Sequence, residues 1–169
     1  SRGLGDVYKR QLLDQGGVSD QGSMLDLCSR LDSRLSHEEQ AAAILLGTVS
    51  GHDPEFGLSH IEVEGQVLQV NHLDQPVGTT RRVRIPARDV SIARTRPEDS
   101  SILNILPVTV TEIENCSGAR LLLRLGMGSQ FLLARITRKS AQRLDIKPGD
   151  ELFAQIKSAA LLSEAAESV

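Results

Sequence analysis

The chain has 169 residues, 40% of them hydrophobic, a net charge of -3, and only four aromatic residues: Tyr8, Phe56, Phe131 and Phe153. That is room for one ordinary domain or two small ones around an aliphatic core, and the charge balance argues against a general polyanion binder. Cys28 and Cys116 stand far apart in no CxxC or Cys/His cluster, as reduced thiols do, and no apolar run approaches the roughly 20 residues that span a bilayer.

The chain begins with Ser1, and SRGLGDVYKRQ has no periodicity that continues into the next segment. Residues 1–11 are therefore expected to be a foreign, assembly-derived tail, and the rest the carboxyl-terminal part of a longer protein. LLDQGGVSDQG (12–22) predicts a strand, a Gly-Gly turn and a return strand. Leu25, Leu27, Leu31 and Leu35 then recur at roughly helical spacing behind Ser23, and Ser36 with Glu39 has the form of a capping box, so 23–44 reads as an interrupted helix.

From Gly47 the texture changes to short strands between turn residues. Ile61 and Val63 alternate with Glu62 and Glu64, a turn falls at Gly65, and the pattern resumes at Val67. RRVRI and DVSIA come next, parted at Pro86; then come LPVTVTEIE, ARLLLRL, a turn around Gly126–Gly128, QFLLARI, a short helix, and ELFAQIKSAAL. Many short strands with Gly turns predict a small barrel or sandwich. The last residues, 163–169, are expected to be a frayed tail.

An internal repeat runs through this region. LDQPVGTTRRVRIPA (73–87) matches LDIKPGDELFAQIKS (144–158) at an offset of 71 residues, and LLGTVSGHD echoes LPVTVTEIE at an offset of 61. The two offsets imply an indel between the matched stretches, and the repeat implies two half-domains of similar plan, 47–100 and 101–162, with 12–46 as a preceding remnant.

Catalytic motifs are missing: there is no GxxxxGK[ST] loop, no HExxH and no GxSxG. His37, His52, His60 and His72 lack ligand spacing, and scattered surface histidines explain them better than a metal site does. Arg81, Arg82, Arg84, Arg88, Arg94 and Arg96 crowd one stretch opposed only by Asp89, but residues 57–130 offer no aromatic platform for bases. A charged outer face, or contact with an acidic partner domain, is the simpler account.

One stretch invites a ligand. Thr137 stands where a strand ends and a helix begins, with Ser140 three residues on, and neither has a neutralising carboxylate beside it. A helix start offers free N–H groups and partial positive charge, and hydroxyls add donors without charge. Lys157 and Ser158, from a strand expected beside LLARI, and Ser100, Ser101 and Asn104 could converge there. Spacing alone leaves an anion site and a plain helix cap equally open.

SSILNILPVTVTEIE followed by LLARITRKSAQRLDIKPGDELFAQIKSAAL resembles the Mop/TOBE oxyanion-binding domain, whose pattern runs SxRN, A-x-I-T-x-x-S, L-x-P/L-G and A-x-I-K-[SA]. With VSGHDPEFGLSHIEVEG, VRIPARDVSIA and RPEDSSILN upstream, residues 12–162 resemble the carboxyl-terminal region of molybdate ABC transporter ATP-binding subunits. The resemblance implies a mainly β, OB-like barrel of two similar halves, preceded by a partly helical remnant of a nucleotide-binding domain. It also implies molybdate or tungstate as ligand at Ser101, Thr137, Ser140, Lys157 and Ser158, with ATP and Mg handled only by a part upstream of Leu12. Its further implications are a homodimer, a membrane permease partner, no nucleic acid, and a cytoplasmic place on the inner face of the bacterial inner membrane. Leu103 stands where the family often has Arg, which removes a bidentate charged donor. A stand-alone molybdate-binding protein and a ligand-free TOBE domain of another importer are the alternatives.

Overall fold

A computed structural model describes residues 41–157 and, as a strand, 162–165. The alternating text of AAILLGTVSGHD folds as β1 (Ala42–Asp53), with Ala43, Leu45 and Val49 buried and Ile44, Leu46 and Thr48 exposed, the period-2 signature of a half-buried strand. β2 (Leu58–Val63), β3 (Gln66–Asn71) and β4 (Thr80–Pro86) come next, then a 3-10 turn (Ala87–Asp89) and β5 (Val90–Ala93). The second set is β6 (Asn104–Asn115), β7 (Arg120–Met127), β8 (Gln130–Thr137), the helix α1 (Arg138–Leu144), β9 (Glu151–Ile156) and β10 (Leu162–Ala165).

The helix expected over 23–44 gives way at its end, because Ala42–Ile44 already pair with Arg84–Pro86 in β1; residues 12–40 of that reading lie outside the described residues. Gly126 and Met127, expected in a turn, close β7, and the turn is Gly128–Ser129. Ser163–Ala165, expected in the tail, form most of β10 and pair with Arg81–Val83.

The strands form two antiparallel five-stranded sheets, β10-β4-β1-β2-β3 and β5-β9-β6-β7-β8. The two halves follow one plan, as the repeat implied. Both long first strands carry a bulge, between Val49 and Gly51 and between Val110 and Glu112. At the first, Gly78 N–H donates to Val49 O (2.8 Å) and Val49 N–H to Thr79 O (2.8 Å); at the second, Gly149 donates to Val110 (2.7 Å) and Val110 to Asp150 (2.9 Å). Gly78 and Gly149 reach these bonds at φ 100° and 95°, where a side chain would be strained.

A shift of 61 residues overlays the bulges, 64 overlays Gln66 on Gln130, and 71 overlays Thr80 on Glu151. Three of those ten added residues lengthen the β6–β7 hairpin, and the other seven are the length of α1. The helix is thus an insertion carried by the second half.

Each half gives its last strand to the other. β5 of the first half pairs with β9 (Val90↔Ile156), and β10 of the second pairs with β4 (Leu162↔Arg84). One aliphatic core, including Leu45, Ile61, Leu68, Ile85, Leu123, Leu125, Leu132, Leu152 and Ile156, spans both sheets. Burying each such side chain contributes about 1.5–3 kcal/mol.

Side-chain amides join the halves where strands do not. Asn104, 1% exposed, accepts from Gln69 N–H (2.7 Å) and donates to Gln69 O (3.0 Å), in the manner of a pairing strand. Gln130 does the same for Leu46, accepting at 2.8 Å and donating at 3.0 Å. Asn104→Ala leaves two backbone groups of β3 without a partner, so a loss of about 2–3 kcal/mol in urea unfolding is expected; an unchanged midpoint would show that water substitutes for the amide.

Candidate functional site

Thr137 ends β8, and its extended backbone (φ -78°, ψ 153°) makes it the N-cap of α1. Its Oγ1 accepts from Ser140 N–H (3.0 Å) and donates to Ser140 Oγ (2.9 Å). The cap is therefore real, and it also holds two hydroxyls side by side at the surface. The first residue of α1 is anchored by Arg138 N–H on Ala119 O (2.8 Å), so the start of the helix sits on a fixed frame.

Lys157 follows β9 and is exposed; Ser101, also exposed, precedes β6 by three residues. Because Ile156 pairs with Asn104, these two flank the same end of the β6–β9 ladder. Ser158 lies outside the described residues. The expected neighbour of β8 is corrected here: β9 lies between β5 and β6, with β6 and β7 separating it from β8. Thr137 pairs with Arg120, next to the Leu121↔Asn115 pair, so it lies at the far end of the twelve-residue β6 from Ser101 and Lys157. Along the ladder, therefore, the two groups of candidate donors lie toward opposite ends of β6.

Asn104 is not available to a ligand, since both ends of its amide are spent on Gln69. Ser100 Oγ accepts from Ile102 N–H (3.1 Å). Leu103, 51% exposed at the Ser101 end, brings no charge there. The arginine stretch is dispersed: Arg81 is 6% exposed, Arg82 and Arg84 are partly exposed, and Arg96 lies 5.9 Å from the Phe153 ring centroid. His52 is occupied structurally, with Nε2 donating to Gln75 O (2.9 Å) and Nδ1 2.8 Å from the buried Ser59 Oγ.

Elsewhere, carboxylates are held by long-range contacts that residue spacing does not reveal. Ser129 N–H, the Gln130 amide and the Ser129 hydroxyl converge on Glu64 and hold its carboxyl below the usual range. Asp150 is lowered likewise, by Lys147 N–H first and then by Arg94. Glu114 is raised, by burial and then by Glu112. A carboxyl lowered on folding supports the fold above its ordinary value and withdraws that support as pH falls through the lowered one. Below the ordinary values of 4.5 for Glu64 and 3.8 for Asp150, the melting temperature is expected to drop, whereas Glu114, raised on folding, gains its relief earlier, as the pH falls toward 4.5. Glu64→Gln is expected to flatten that drop in a pH series of thermal melts; an identical slope would remove Glu64 from the account.

The fold is that of a small OB-like β module, and residues 100–162 match the TOBE domain family. The chain is also 43% identical over 152 residues to the molybdenum import ATP-binding protein ModC 1 of Azotobacter vinelandii, a match that covers 89% of this chain and 42% of that protein. To ModC of Aromatoleum aromaticum it is 40% identical over 151 residues, 89% of this chain and 40% of the relative. The chain thus spans about two-fifths of the length of these curated relatives. Among solved structures, the cytoplasmic molybdate-binding protein ModG, in a form with molybdate bound, shares the fold with a TM-score of 0.62 and 20% identity, over 73% of this chain and 95% of that one.

Proposed function

We propose that the chain is the carboxyl-terminal accessory region of a molybdate-importing ABC ATPase subunit, and that it binds molybdate or tungstate inside the cell and restrains transport when occupied. The relatedness to molybdenum import ATP-binding proteins along 89% of the chain carries this reading. Residues before β1 then close the ATPase domain, 101–162 form the oxyanion-binding half, and ATP and Mg belong to the part upstream. Among the described residues no helix is long and apolar enough to cross a membrane; attachment to the cytoplasmic face is proposed to run through a permease partner.

The two donor clusters explain how a site would be assembled. A tetrahedral dianion needs donors from several directions, and hydrogen bonds to a charged group contribute about 1.5–3 kcal/mol each. Thr137 and Ser140 supply hydroxyls; Ser101, Lys157 and Ser158 supply hydroxyls and a cation. Since β6 separates the clusters within one chain, the reading sets them face to face across a homodimer, Thr137 and Ser140 from one copy and Ser101 and Lys157 from the other. Two-fold symmetry then gives two equivalent sites.

Titration calorimetry with molybdate, tungstate and sulfate tests the ligand. Molybdate and tungstate are expected to bind at one per chain, and sulfate, smaller and less able to reach both clusters, more weakly. A chain that takes up neither metal oxyanion at millimolar concentration sinks the proposal in favour of a structural TOBE domain. One observation favours a second reading, a stand-alone molybdate-binding protein: the fold accounts for 95% of the ModG chain. A phosphate-binding loop encoded upstream of Leu12 would decide for the importer.

A further inference from the structure

Arg94 follows β5, the strand that the first half lends to the second half's sheet. Its guanidinium reaches α1 from outside that half. Nε donates to Leu144 O (2.8 Å), while Nη2 donates to Asp145 O (2.6 Å) and to Asp150 Oδ2 (2.8 Å). Leu144 and Asp145 are the last helical residue and the C-cap, the latter at φ 53°, so a cation here closes orphan carbonyls at the negative end of the helix. Asp150 is itself tied to Lys147 N–H (2.9 Å), and its carbonyl holds the β6 bulge through Val110 N–H (2.9 Å). The C-terminal end of α1 is thereby locked to two strands by one side chain.

The other end of this seven-residue helix carries Thr137 and Ser140. Thr137 is held by its pairing in β8, but Ser140 lies within this two-turn helix, so what fixes the last carbonyls also sets how the Ser140 hydroxyl stands against Thr137. We propose that Arg94 is a positioning residue of the oxyanion site, by which the first half holds the donor-bearing helix of the second. This rests on the proposed role of Thr137 and Ser140 as ligand donors. It also assigns a use to the exchange of strands: β5 carries a cation from the first half to the end of α1.

The test uses the 169-residue chain as wild type, Arg94→Met and Arg94→Lys, with molybdate as probe, at a temperature where circular dichroism shows all three folded. Arg94→Met is expected to weaken molybdate binding about tenfold, the size seen when groups that orient ligands are removed, and to speed amide exchange at Arg143–Ile146. Arg94→Lys is expected to recover part of the affinity, because an ammonium still caps the carbonyls though it cannot fork between them. The affinity loss should exceed what the drop in melting temperature predicts, since a purely structural role would lower stability and leave the folded chain's affinity alone. Arg94→Met binding molybdate within about twofold of wild type overturns the inference alone, being well short of the tenfold loss expected from a positioning residue. A wild-type chain that binds no molybdate overturns the site, and the inference with it.

Discussion

Mixing two chains that each bind no oxyanion is expected to restore binding. The first carries Thr137→Ala and Ser140→Ala; the second carries Ser101→Ala and Lys157→Ala. In the proposed homodimer each lacks one donor cluster in both copies, so each alone should bind molybdate at least about 100-fold more weakly than wild type, given the worth of hydrogen bonds to charge. In a mixed dimer, one of the two sites meets the intact Thr137–Ser140 of the second chain and the intact Ser101–Lys157 of the first; the other site is doubly broken. Random pairing then gives about a quarter of the wild-type number of tight sites, with wild-type affinity. A site built within a single chain predicts none. Loss of the Thr137 cap costs about 1 kcal/mol, well short of what would unfold a domain of this size, and Ser101 and Lys157 are exposed. The readout is calorimetric stoichiometry before and after mixing.

Gly47→Val is expected to be the most damaging single change in the first half, by about 3 kcal/mol or more. Gly47 is buried in β1 where that strand crosses β2, and a Cβ there would lie 2.6 Å from Cγ2 of both Ile61 and Val63 and 2.7 Å from Glu62 O. Ile61 and Val63 are fully packed, and the carbonyl belongs to a paired strand, so none can give way cheaply. Overpacking of this kind typically costs about 1–3 kcal/mol and sometimes more. The corresponding residue in the second half is Val108; Gly126, the counterpart of Glu62, pairs with Thr109 and faces the outer side of the sheet. Gly126→Ala should be mild, below about 1.5 kcal/mol, since its Cβ would first meet the methyl of exposed Thr111 at 3.3 Å. Urea unfolding of both variants at unchanged m measures the contrast; equal midpoints would discard the crossing argument.

The strands were legible because alternation is a local property. Ile61 and Val63 against Glu62 and Glu64 report a face directly, and β2 through β9 lie close to where the pattern and its turn residues put them. The cap was legible for the same reason: Thr137 and Ser140 are three residues apart, and their hydrogen bonds span no more than that. The expected helix broke down at Ala42–Ile44 because two alanines and an isoleucine fit either period, and pairing with Arg84–Pro86 decided it.

Residue type at short fixed spacing, and order along the chain, are enough to carry the β class, the doubled plan and its insertion. They also carry the candidate donors Ser101, Thr137, Ser140, Lys157 and Ser158 and the resemblance to oxyanion-binding domains. Long-range packing was needed for the rest: that β5 and β10 change halves, that β9 lies beside β6, that Asn104 is a buried staple, and that Arg94 reaches a helix end 50 residues away. A strand of four residues has no local mark of which sheet it joins, and an amide or guanidinium has none of which carbonyl it will meet. Those choices belong to the free energy of packing the whole core, and they set the two donor clusters at opposite ends of β6.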